Sequence, residues 1–228
     1  MLILSWRCYA GLMPRIPRGQ MAGYAYHVIN RGNGRAQVFH KDEDYGAFLK
    51  LIESAKARHY VSILAFCLMP NHFHLVLEPS TQVAMSKFMH WLLTSHVRRY
   101  HRHYDSSGHV WQGRFKSFPI QRDEHLMTVI RYVLQNPVRS GLVASPKDWT
   151  WLSIRRTGLT DPLPEVIQEG WNAGISIPLA GTDLKEIREA VNRQRPYGDF
   201  DWQIDIAGRL GLESTMRNRG RPRSVMEK

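Results

Sequence analysis

Four side chains in this sequence have types and spacings that could do chemistry together: His72, His74, Tyr132 and Asn136. The two histidines are separated by one residue in HFHLVLE, a stretch whose apolar and β-branched composition predicts a strand over 72–78. Side chains alternate faces along a strand, so both imidazoles project to one side and Phe73 points to the other, into a core. Two neutral imidazoles on one face can grip a divalent cation. A His-x-His triplet by itself fits ordinary surface histidines as well. Tyr132 and Asn136 stand four residues apart at a predicted helix, which sets a phenol and an amide oxygen on one face, a turn apart. The amide could complete a metal site while the phenol approaches a phosphate. Taken alone, that pair reads more readily as a core tyrosine plus a helix-terminal asparagine before proline.

Other elements must hold these residues. YAYHVINR at 24–31 predicts a strand that stops at Gly32-Asn33-Gly34. Tyr45, Phe48, Leu49 and Ile52 recur at helical spacing and predict a helix from Asp42 to Arg58, with acidic residues at its N-terminus. A buried strand at 60–68, the turn Met69-Pro70-Asn71 and the histidine strand form a hairpin. A helix from Ser86 to His101, a strand at 109–120 and a helix at 123–135 follow, the last capped by Asp123 and ended by Asn136-Pro137. The order β-α-β-β-α-β-α implies an α+β fold: a ferredoxin-like, split-βαβ antiparallel sheet covered by helices. After Trp151 the texture changes. Residues 155–181 read as an irregular connector, and helices from Asp183 to Arg193 and Trp202 to Leu210 lead into a basic tail, a C-terminal helical and basic extension over 182–228.

The chain carries 31 Lys and Arg against 20 Asp and Glu, a net charge of +11, which concentrates polyanions. Nucleic acid is the first partner this suggests; no basic amphipathic helix supports a membrane surface. Arg114 and Lys116 alternate with Phe115 on the predicted strand and could face a phosphate backbone, or solvent. Arg31, at the end of the first strand, joins them as a DNA-contact candidate. Trp111 could stack on a base, although core packing is favoured. His90, His96, His101 and His103 form no ligand pattern and are expected at the surface. Arg219, Arg221 and Arg223, in the tail sequence RGRPR, resemble an AT-hook core for a narrow minor groove, a short match that basic tails often produce. Two cysteines, Cys8 and Cys67, are too few for a disulfide scaffold and fit a reducing, cytoplasmic setting. The apolar opening is broken by Arg7 and reads neither as a membrane span nor as a signal peptide. With Met13 following, residues 1–12 are expected to be an upstream-start extension.

MPNHFHLVLEP at 69–79, GHVWQGRFKS at 108–117 and RYVLQNPVRSGLV at 131–143, in that order and spacing, resemble the tyrosine HUH transposases. The closest subgroup is the REP-associated tyrosine transposases. YHVINRGNGR at 26–35 fits that family's first strand, and the similarity places a catalytic domain at 13–154. The resemblance implies His72 and His74 as a metal pair, Asn136 at the third ligand position, where some relatives carry glutamine, and Tyr132 as nucleophile. It also implies a divalent cofactor, Mg²⁺ or Mn²⁺, and single-stranded, hairpin-forming DNA of repetitive extragenic palindromes as substrate. A cytoplasmic, nucleoid-associated protein follows, monomeric or homodimeric, with no obligate protein partner. A non-catalytic protein that binds DNA or RNA hairpins is the main rival, and it would not need both histidines and the tyrosine. A replication initiator or relaxase is a further rival; the chain shows no second tyrosine beside Tyr132 and no helicase-like region.

Overall fold

In the computed structural model, which describes residues 19–163 and 177–217, strand β1 (Ala25–Arg31) runs through the middle of a four-stranded antiparallel sheet. β3 (His72–Pro79) pairs on one side of it and β4 (Lys116–Ile120) on the other; β2 (Val61–Met69) completes the order β2-β3-β1-β4. Helix α1 (Asp42–Arg58) links β1 to β2, and α2 (Ala84–Tyr104) links β3 to β4. Each crossover skips one strand, the connectivity of the split-βαβ reading. The expected extension at 1–12 and the arginines at Arg219, Arg221 and Arg223 lie outside the described residues.

Alternation along the strands divides the core in two. Tyr26 and Val28 of β1 and Phe73, Leu75 and Leu77 of β3 pack with Phe48 and Ile52 of α1 and Phe88 and Leu92 of α2. A register shift between Ile63 and Ala65 lets β2 change phase, so Ile63 joins this layer and Ala65, Cys67 and Met69 face the other. There Val76, Phe118 and Ile120 meet α3 (Glu124–Leu134) through Leu126, Val129, Ile130 and Val133. Asp123 caps α3 as expected, accepting from His125 N at 2.9 Å.

The C-terminal third closes the sheet. Helix α4 (Asn136–Arg139) turns the chain at Pro137, and α5 (Gly181–Arg193) buries Ile187 and Ala190 in the α3 layer. Tyr197 bridges Ile120 on the β4 edge, while Leu68 N donates to Trp151 O and Leu152 bridges Cys67 on the β2 edge. Both sheet edges are thus paired rather than left as open templates. Helix α6 (Phe200–Leu210) packs Ile206 and Leu210 with Met21, Tyr24 and Trp202.

Two expectations are corrected. The strand expected over 109–120 is confined to Lys116–Ile120. Gly108 and Gly113, both at φ 92, turn residues 108–115 into a loop folded over the end of β1, where Gln112 N donates to Arg31 O and Asn33 N to Val110 O. His96 is not at the surface: it is fully buried on the same face of α2 as Phe88 and Leu92, among Phe39, Phe48 and Trp111. Both its ring nitrogens lack a partner, and burial pushes its pKa down to about 3. Trp111 is a core residue, 5% exposed, edge-on to Phe73.

Candidate active site

The histidine strand begins immediately after a tight hairpin turn, and that turn is anchored. Pro70 O accepts from the backbone N–H groups of Val38 and Phe39, and Asn71 O accepts from Gly32 N. Asn71 Oδ1 lies 2.6 Å from His72 Nδ1. A carboxamide oxygen can only accept, so Nδ1 carries the proton and the lone pair of His72 is left on Nε2.

His72 and His74 project from the same face of β3, with ring centres 5.0 Å apart and planes at 78°. A ring centre lies roughly 3 Å from a metal bound to its nitrogen, so two imidazoles sharing one ion have centres within roughly 6 Å; this pair fits. His74 is 2% exposed, and its Nδ1 meets His27 Nε2 at 2.8 Å. Burial, aided by the nearby His72, lowers the His27 pKa to about 3. Burial and Arg31, which stands opposite His72 across the β1–β3 ladder, lower His72 to about 4. His74 is driven well below the ordinary histidine value, first by burial and then by His72, His27, Arg139 and Arg31. All three rings are neutral at physiological pH, the form that binds cations.

Tyr132 approaches from the helical layer above. Its ring stands edge-on to His74 with centres 5.9 Å apart, and 6.2 Å from His27. Asn136 is not on the same helix: α3 stops at Leu134, and Asn136 opens α4. Pro137 has no N–H to donate to Val133 O. The Asn136 amide nitrogen fills in, donating to Tyr132 O at 3.2 Å and to Val133 O at 3.4 Å, which leaves Oδ1 as its only ligand atom. Arg139 folds back over the same turn. Its guanidinium carbon lies 4.2 Å from the Tyr132 ring centre, and its Nη2 donates to Tyr132 O at 2.7 Å.

Arg31, Arg114 and Lys116 line one cavity of about 250 Å³ beside this group, together with Ile29, Gln112 and Asn192 of α5. Arg114 sits on the loop rather than on β4, yet it reaches the same space as Lys116. A separate trio, Asp123, Glu124 and His125, has potential ligand atoms within 4.8 Å of one another. It lies at the opposite end of α3 from Tyr132, and Asp123 is engaged as the helix cap and with His125 Nδ1 at 2.7 Å.

His27 and Arg139 are the two neighbours that the sequence reading did not single out. His27 shares the strand parity of Arg31, but its meeting with His74 is diagonal across the ladder and needs the register: Ile29, not His27, stands opposite His74. Arg139 lies seven residues beyond Tyr132, past a proline, where helical spacing no longer applies.

The family model described as "Transposase IS200 like" matches residues 20–136, just over half of the chain. The chain belongs to the IS200-like transposase family. Within that family, it is 28% identical over 135 residues to a Haemophilus influenzae protein described as a REP-associated tyrosine transposase, covering 54% of this chain and 74% of that protein. A REP-associated tyrosine transposase solved with a REP hairpin is 19% identical, with a TM-score of 0.47 over 78% of this chain and all of its own. A Deinococcus radiodurans R1 transposase structure is 22% identical, with a TM-score of 0.38 over 49% of this chain and 88% of its own. The family model bears out the transposase resemblance carried by the sequence motifs, and the matched stretch contains His72, His74, Tyr132 and Asn136 of this IS200-like transposase. None of its described helices is long and apolar enough to cross a membrane.

Proposed function

We propose that this transposase nicks and rejoins hairpin-forming single-stranded DNA with Tyr132 as nucleophile and His72, His74 and Asn136 Oδ1 as ligands of a divalent cation. The observation that carries this reading is the edge-on packing of the Tyr132 ring against His74, one ring away from His72. That packing sets the phenol beside two neutral imidazoles, His74 buried and His72 half-buried. Bound Mg²⁺ or Mn²⁺ would supply electrostatic stabilisation of the charge that builds on the phosphate oxygens.

The chain's own residues do the rest. Asn71 fixes the His72 tautomer, and His27 orients His74 through the 2.8 Å contact. Arg31, Arg114 and Lys116 offer phosphate contacts along the cavity beside the histidines and hold the strand in register. Tyr132 Oη forms a bond to phosphorus as the bond from phosphorus to the 3′ oxygen breaks; the phenol proton passes to solvent, and the departing 3′ oxygen takes a proton from water. The product is a 5′-phosphotyrosine and a free 3′-OH. Because the phosphodiester energy is retained, attack by another 3′-OH rejoins strands without ATP. Repetitive extragenic palindromes are the proposed substrates, and a cytoplasmic, nucleoid-associated location follows from them.

The test is incubation with labelled hairpin DNA and Mn²⁺, followed by denaturing electrophoresis. A protein–DNA band that survives denaturation is expected, is absent with chelator, and is absent in Tyr132→Phe. Hairpin binding without any such band would favour the non-catalytic binder instead.

A further inference from the structure

Arg139 is held more tightly than a surface arginine needs to be. Its guanidinium lies over the face of Tyr132 at 4.2 Å, Nη2 donates to Tyr132 O, and Nη1 is buried with no hydrogen-bond partner. Among the described residues no carboxylate lies within ion-pair distance of it. Burial lowers its pKa from the usual arginine value; Tyr132 works against that shift, and the like charge of Arg188 of α5 adds to it. A desolvated cation without a counter-ion is unfavourable unless negative charge develops beside it.

A purely structural role is too small for this arrangement. Tyr132 O already accepts from the Asn136 amide at 3.2 Å, so closing the helix end does not require a guanidinium, and still less one set over the ring. α4 supplies the reason for its position: the backbone bond from Arg139 N to Gln135 O carries the side chain back over the preceding turn. α5, which lies beyond the family-matched residues, places Arg188 near it.

We propose that Arg139 is the positioning residue of the nucleophile, clamping the Tyr132 ring in its attacking orientation and offsetting the negative charge that gathers on the phenol oxygen during attack. The inference rests on Tyr132 being the nucleophile. In the step already written, the phenol oxygen forms its bond to phosphorus while its proton goes to solvent. The planar cation over the ring face opposes no part of that motion and favours its electron-rich stage.

The experiment uses the full chain and measures single-turnover adduct formation at saturating hairpin DNA and Mn²⁺, alongside hairpin Kd and melting temperature. Arg139→Gln is expected to slow adduct formation about 100-fold, the scale of a misplaced reacting group, with Kd unchanged. In Arg139→Ala, millimolar guanidinium chloride is expected to restore part of the rate, which a fold defect would not allow. Arg139→Lys keeps the charge but not the guanidinium that sits over the ring and bonds Tyr132 O, and is expected to fall between. A normal rate in Arg139→Gln overturns the proposal, as does a loss matched by weaker hairpin binding with no guanidinium rescue. If Arg139→Gln melts early, Arg139→Lys decides: a rate equal to that of the unaltered chain overturns it. Adduct formation by Tyr132→Phe would instead remove the nucleophile itself, so the two failures are distinguishable.

Discussion

Two polar clusters on opposite faces of one sheet are satisfied in opposite ways. On the α1–α2 face, Asp44 is saturated: its carboxylate accepts from Tyr104 Oη at 2.5 Å, from the backbone of His40 and Lys41, and from Arg99 at 3.4 Å. On the α3–α5 face, His27 Nδ1, Arg31 Nε and Arg139 Nη1 are buried and have no protein partner. The first cluster is a joint between two helices and is complete as it stands. The second keeps hydrogen-bonding capacity in reserve, which is costly unless something else arrives to use it. His96 shows that an orphaned nitrogen is not enough to make a site. It is sealed among aromatic rings, whereas His72 is half-buried beside an arginine- and lysine-lined cavity.

Crossing the two clusters is the sharpest way to break this contrast. His74→Gln is expected to lower Mn²⁺-dependent adduct formation on the order of 1,000-fold while leaving the melting temperature nearly unchanged. Unchanged activity would make His74 the structural residue and erase the distinction. Asp44→Asn should do the reverse, costing about 2 kcal/mol of stability, read by urea denaturation, with adduct formation at neutral pH intact. Burial would raise the Asp44 pKa, but the hydrogen bonds from Tyr104, His40, Arg99 and Lys41 outweigh it and hold it below the ordinary value. A carboxylate lowered in the folded state gives stability that is present above its unfolded pKa and lost as pH falls through its folded one. The acid limb of the melting curve should therefore flatten in Asp44→Asn, and an identical limb would contradict the assignment. The smallest effect belongs to His27→Phe: Mn²⁺ affinity, measured by titration calorimetry, should weaken about 10-fold with the fold retained.

Much of the frame was legible because it rests on short-range patterning. The hairpin of β2 and β3, the acidic start of α1 and the Asp123 cap all follow from alternation, helix charge and local side-chain–backbone bonding. Phe73 and the two histidines fall on opposite faces for the same reason. What escaped reading depends on contacts distant in sequence or on backbone that leaves regular geometry. HVWQGRF has strand composition, yet Gly108 and Gly113 bend it into a loop. The partnership of His27 with His74 requires the β1–β3 register, and the return of Arg139 onto Tyr132 requires the turn that Pro137 imposes. Burial of His96 follows from its place one turn beyond Leu92, a signal that was present in the spacing.

The proposed site, a phenol brought to a histidine pair, predicts a direct chemical signature: the identity of the residue bonded to DNA in the adduct. Adduct formed on hairpin DNA with Mn²⁺ can be digested with nuclease and protease and the peptides sequenced by mass spectrometry. The expected modification is a 5′-linked phosphonucleotide on the peptide containing Tyr132, and on no other. Its appearance on Tyr100 or Tyr104, across the sheet from the histidines, would contradict the assignment, and so would nicked DNA with no modified peptide.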